Sequence, residues 1–160
     1  MKLNLKKSDK IILGLAGGYM IYHFLFRGLS SIGAAMQSIA LNGIDVLNDK
    51  LGLILNFAVT NPTLMSVNLH RISGTVYINN QEVGAVDQVY DRKLKARKTS
   101  VVPVLIETKI SKMSGSLKEA IVSGDVASTT VQFLGKVEVG SKNIVSIPVN
   151  KTVMWGALVK

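Results

Sequence analysis

LGLILNFAVTNPTLMSVNLHRISGTVYINN, residues 51–80, is the stretch that decides the fold. Leu51, Leu53, Leu55, Phe57 and Val59 alternate with Gly52, Ile54, Asn56, Ala58 and Thr60. A period of two places the first set on one face of a β-strand, and that face is strongly apolar. Asn61-Pro62 ends the run, because proline has no N–H to give to a ladder. In the next run, about 66–78, Val67 and Leu69 share one parity while Ile72, Gly74, Val76 and Ile78 share the other. That change of phase at His70-Arg71 predicts a β-bulge or a crossing between sheets. Asn79-Asn80 predicts a tight turn, with 81–89 returning as the partner strand.

Working outward toward the C-terminus, a further strand is predicted over 99–110. The spacing of Met113, Leu117, Ala120 and Ile121 then predicts a helix over 111–122, with Gly124 able to end it. Val131, Phe133, Gly135, Val137 and Val139 alternate again, residues 140–143 form a turn, and Val145, Ile147 and Val149 form the last clear strand. Short antiparallel strands at this spacing argue for a sandwich. Residues 42–160 number 119, enough to enclose a core. No internal repeat and no low-complexity segment interrupts them.

Toward the N-terminus the composition changes. Residues 11–26, IILGLAGGYMIYHFLF, contain no charge; Lys6, Lys7 and Lys10 precede them and Arg27 follows. Sixteen helical residues span about 24 Å, short of a ~30 Å hydrocarbon core unless Lys10 and Arg27 snorkel. Beyond Arg27, the 3-4-3 spacing of Leu29, Ile32, Met36 and Ile39 predicts that one helix continues to residue 40. The expected organisation is thus a basic flank over 1–10, an anchor helix over 11–40 and a β-sandwich over 41–160. The leading expectation for the helix is a single-pass transmembrane anchor with its N-terminus inside, because the basic residues cluster before the apolar run. A cleaved signal peptide, with Gly33-Ala34-Ala35 as the small-residue site, and a helix buried in an assembly are the alternatives. Gly14 and Gly18 form a Gly-x-x-x-Gly pattern, which suits close helix packing.

Charge and missing motifs narrow the function. Residues 1–41 carry five basic groups against Asp9, and residues 42–160 carry fourteen against nine acids. A basic balance of this kind favours anionic lipid or nucleic acid as contacts. Five of the seven residues in 92–98 are basic: Arg92, Lys93, Lys95, Arg97 and Lys98. They are the candidate contact for an anionic partner, in lipid head groups or nucleic acid. As a strand, the segment would turn Arg92, Leu94 and Ala96 one way and Lys93, Lys95 and Arg97 the other. Its alternative role is protection of a sheet edge by charge. No aromatic residue interleaves with it, so base stacking has no support. The sequence has no cysteine, which excludes disulfides, thiolate metal sites and a lipidated-cysteine anchor. Of its two histidines, His23 lies in the apolar run and His70 at the phase break, and both read as structural. No Gly-x-Ser-x-Gly, Gly-x-Gly-x-x-Gly or Walker A pattern occurs. No catalytic residue, metal ligand, cofactor or small-molecule substrate is expected.

With those residues in view, the chain resembles the late-embryogenesis-abundant type 2 family, the water-stress and hypersensitive-response domain. The resemblance lies in residues 41–86, where Asn61-Pro62, Val76–Ile78, Asn79-Asn80 and Val83-Gly84 follow the family order. Thr99–Ile110, TSVVPVLIETKI, is similar to the family's Ser/Thr-x-x-Val-Pro-Val strand. The resemblance covers about 41–153. It implies an all-β domain: a seven-stranded fibronectin-III-like antiparallel sandwich with one short helix and no catalytic residues. Small bacterial and bacteriophage members often carry an N-terminal hydrophobic helix, as is expected of this chain. The basic segment at 92–98 departs from the family pattern. The expected function is a membrane-anchored, non-enzymatic sandwich with a structural or binding role, in a bacterial inner membrane or a virion membrane. The alternative is a minor virion protein, capsid or spike base, of a membrane-containing bacteriophage. Expected partners are the lipid bilayer, other copies or capsid proteins, and anionic lipid or nucleic acid.

Overall fold

The computed structural model describes Leu29, residues 31–140 and residues 144–155. Lys50–Asn61 forms one long strand, β2, and its five odd-numbered apolar residues from Leu51 to Val59 are fully buried. It lies between β1, Gly33–Asp45, and β5, Lys98–Lys109, as the centre of a three-stranded antiparallel sheet. A second antiparallel sheet has β3, Val67–Ile78, and β6, Thr130–Gly140, at its centre. β4, Gln81–Leu94, and β7, Ile144–Met154, form its edges. The two sheets enclose one apolar core, with β4 against β5 on one side and β1 against β7 on the other. The helix α1, Gly115–Ser123, follows a 3-10 turn at Ile110–Lys112, and Leu117 and Ile121 turn inward from it.

Local sequence explains most of these elements. β2 ends at Asn61 because Pro62 follows it. The register of β3 with both neighbours shifts between Leu69 and Arg71, so His70 is the bulge that lets Leu69 and Ile72 both face the core. Asn79 and Asn80 have φ of 48° and 64°, the left-handed pair of a tight hairpin turn. Gly124 closes α1 at φ 78°, its amide bonded to the Ile121 carbonyl.

Gly74 and Gly135 face each other across β3 and β6 on the core side. A Cβ at either position would lie 2.7 or 2.6 Å from Cζ of Phe133. Their bareness gives the Phe133 ring its room, and that ring meets Phe57 of the opposite sheet edge-on at 4.8 Å. Trp155, just past β7, is almost fully buried and is fixed by its amide to the Thr129 carbonyl at 2.7 Å.

Two expectations need correction. The helix predicted through residue 40 is not formed over Gly33–Ala40, which belongs to β1. Ile32, Met36 and Ile39 are buried, yet their spacing comes from a bulge. The β1–β2 register shifts between Met36 and Ser38, so Gln37 is an extra residue and the apolar spacing lengthens from two to three. The sandwich therefore starts at Gly33 rather than 41. Gly33-Ala34-Ala35, considered as a cleavage site, pairs with Thr60, Val59 and Ala58 inside the sheet. The remainder of the predicted anchor, with the basic flank 1–10, Gly14, Gly18 and His23, lies outside the described residues. Secondly, residues 92–98 are not one strand. β4 ends at Leu94, fully buried, and Arg97 sits in a turn at φ 54°, because the chain must reverse to begin β5 at Lys98. Arg92 and Leu94 share one face of β4, as expected, but the alternation stops at Leu94 and does not carry Lys95–Lys98.

Candidate binding surface

The basic segment forms the β4–β5 connection at one end of the sandwich. Lys93 lies in β4, Lys95 and Arg97 in the turn and Lys98 at the start of β5, and all are exposed. Arg92 has a separate task. Its Nη1 donates to the Val101 carbonyl at 3.1 Å, two residues along from Tyr90, whose hydroxyl lies 3.0 Å from the Pro103 carbonyl. Two residues further, Gln88 Nε2 donates to the Leu105 carbonyl at 2.9 Å. Three alternate side chains of one edge strand thus cap three alternate carbonyls of the other. Thr108 returns a bond from its hydroxyl to the Val83 carbonyl. The partial burial that comes with this packing raises the pKa of Tyr90 above its ordinary value.

Asn61 holds the turn in place. Its side chain is fully buried, and Nδ2 lies within hydrogen-bond distance of the carbonyls of Met65 at 2.9 Å, Leu94 at 3.1 Å and Lys95 at 3.3 Å. Its Oδ1 accepts from the amide and hydroxyl of Thr63 at 3.1 and 2.7 Å. The Arg97 amide donates to the Thr63 carbonyl at 3.1 Å. One buried amide therefore joins the end of β2, the 62–66 loop and the basic turn. That junction sets Leu64 and Met65, 57% and 58% exposed, beside the cationic turn.

The strand registers put more of the chain at this end. Gly33, the first residue of β1, pairs with Thr60, and Thr60 with Thr99. Asn68 pairs with Gly140, and Gly140 with Ile144, 58% exposed. His70 Nε2 lies 3.1 Å from the Gly140 carbonyl, a structural role at the bulge. The opposite end carries the β1–β2 hairpin tip, where Leu47 is 97% exposed, the Asn79-Asn80 turn and α1. Asp49 there accepts from the Ser111 hydroxyl and amide at 2.5 and 2.6 Å, which holds its carboxyl below its ordinary pKa. Asp45 is lowered likewise by the Asn48 side chain and amide.

Charge divides between the ends. Among the described residues, the end with the β4–β5 turn carries Arg92, Lys93, Lys95, Arg97 and Lys98 against Asp91. The opposite end carries Asp45, Asp49, Glu82, Glu107, Glu119 and Asp125 against five lysines, 50, 109, 112, 118 and 151. Sequence reasoning found the cations as a cluster. It missed Asn61 as a clamp, because a buried amide that reaches 34 residues ahead leaves no local signal beyond the Asn-Pro pair.

Among the described residues no three His, Asp or Glu side chains are placed to hold a metal ion, and no helix is long and apolar enough to cross a membrane. The fold and this surface define a class: a two-sheet antiparallel sandwich whose distinguishing feature is one cationic, partly apolar end. The sequence profile of late embryogenesis abundant proteins matches residues 56–153, more than half of the chain. The chain belongs to the late embryogenesis abundant type 2 family. No curated protein sequence matches it. Among solved structures it is similar to a protein from Archaeoglobus fulgidus, at 11% identity and a TM-score of 0.51 over 74% of this chain and 94% of that one. A protein from Arabidopsis thaliana, solved in solution, is 17% identical with a TM-score of 0.59 over 75% and 78%. A putative late embryogenesis abundant protein is 14% identical with a TM-score of 0.43 over 96% and 91%.

Proposed function

We propose that the chain is a membrane-anchored, non-enzymatic β-sandwich with a binding or structural role. The observation that carries this reading is the uncharged run of residues 11–26, bracketed by Lys6, Lys7, Lys10 and Arg27. A basic flank before an apolar segment favours an N-terminus on the inner side, with the sandwich on the other. The absence of an enzymatic role follows the family resemblance, which implies no catalytic residues.

Extraction of membranes from cells that express the full chain tests the reading. A protein held by a spanning segment stays in the pellet through washes with concentrated salt and with alkaline carbonate. Release by salt alone would contradict the anchor and leave a peripheral protein.

A further inference from the structure

We infer that the cationic end of the sandwich is a docking surface for an anionic lipid bilayer, with Lys93, Lys95, Arg97 and Lys98 on head-group phosphates and Leu64 and Met65 inserted between them. The inference deepens the proposed function and rests on its anchor for the tether, but not for the contact itself. Three observations carry it. The four bases are exposed, and the fifth, Arg92, is the one held by a carbonyl of its own domain. Two exposed apolar side chains lie beside them, fixed by Asn61 and by the Arg97 amide on the Thr63 carbonyl. Bases around a small apolar tip are the composition of a surface that enters the head-group layer. Finally, β1 begins at this end. Six residues separate Phe26 from Gly33, and the seven Cα–Cα steps reach at most about 25 Å when fully extended, so a membrane-bound 11–26 run would keep this end near the bilayer.

The other end does not fit. Leu47 is more exposed than Leu64 or Met65, but Asp45 and Asp49 flank it and the carboxylates there outnumber the lysines. An anionic surface would repel that end. Nucleic acid is the weaker partner for the cationic end: a single strand rewards aromatic stacking platforms, and the phosphates of a duplex offer nothing to the aliphatic side chains that accompany the bases here. Gln88, Tyr90 and Arg92 already occupy the β5 edge, so no partner strand competes for the same face.

The absence of cysteine makes the test direct. The full chain is made with Met65→Cys, and separately with Ile144→Cys as a second reporter and Leu47→Cys at the opposite end. Each thiol carries an environment-sensitive fluorophore. The proteins are added to phosphatidylcholine vesicles, with or without phosphatidylglycerol, that contain a lipid-borne nitroxide quencher, and flotation is read in parallel at low and high salt. The inference expects quenching at 65 and 144 that depends on phosphatidylglycerol, and none at 47. Replacing Lys93, Lys95, Arg97 and Lys98 by Gln lowers the docked-to-undocked ratio at least about tenfold, given about fivefold for each base near an anionic surface. Flotation at both salts without quenching at 65 or 144 overturns the docking and leaves the anchor standing. Flotation at low salt only, with quenching at 65, supports the docking and overturns the anchor. No flotation at either salt overturns both. Binding to duplex DNA that the four-base variant loses, without lipid quenching, overturns the inference in favour of nucleic acid.

Discussion

Asn61 shows how much one side chain can organise. It is buried, with its donors and its acceptor all engaged by main chain or by Thr63. Replacing it by Leu removes those bonds and leaves buried carbonyls unpaired, a loss of about 2–3 kcal/mol. Urea denaturation reads that loss, and an unchanged midpoint would remove Asn61 from the role assigned to it. Gly74 and Gly135 make a second residue-scale case. Gly135→Ala puts a methyl group onto the Phe133 ring and onto the β3 backbone, which costs about 1–3 kcal/mol. Phe133→Leu costs stability alone, yet in the Gly135→Ala background it costs less, because the clash has been relieved. Additive effects in that double-mutant cycle would place the strain elsewhere.

At the scale of elements, legibility followed the regularity of the ladder. β2 alternates without interruption over residues 51–59, and the sequence pattern alone gives its face and its end. The bulge in β3 is legible too, since both phases are long enough to see. β1 is not. One extra residue, Gln37, turns a strand's spacing into a helix's, and Ser30 and Ser31 before the strand fit the polar face of that helix, so the boundary at Gly33 is hidden. The strand assignment predicts that Met36→Ala and Ile39→Ala each cost about 2–4 kcal/mol while Gln37→Ala is near neutral. A melt in which Gln37→Ala is as damaging as the other two would contradict it. The basic cluster was visible as composition, but its apolar companions were not, because Leu64 and Met65 reach it only through contacts made in the folded chain.

The hairpin tip between β1 and β2 is tied to the 3-10 turn by Asp49 on Ser111. Its carboxyl has a folded-state pKa below the unfolded value. The stability it contributes is therefore fully present above the unfolded pKa and lost as pH falls through the folded one. Asp49→Asn keeps a residue that tolerates the φ of 55° at this position and removes the charge. The gap in melting temperature between the native chain and this variant is expected to be constant near neutral pH and to close below about pH 4. A gap that persists in acid would show that the charge on Asp49 is not what ties the tip down.

Across the whole molecule, the two ends of the sandwich differ in charge, and the chain enters at the cationic one. Under the proposed docking, that polarity gives a uniform β-fold a direction: one end toward an anionic surface, the hairpin tip and α1 away from it. Membership of the late embryogenesis abundant family accounts for the sandwich, and the match over residues 56–153 leaves the apolar N-terminal run outside it. On the proposed function, the uncharged run 11–26 holds the sandwich to a membrane, and removal of residues 1–28 releases it. Flotation of the full chain beside a chain that begins at Leu29, on anionic vesicles in concentrated salt, tests it most directly. The full chain is expected to float while the shortened chain, still melting cooperatively, stays at the bottom of the gradient. Both chains remaining at the bottom, or both floating, would contradict it.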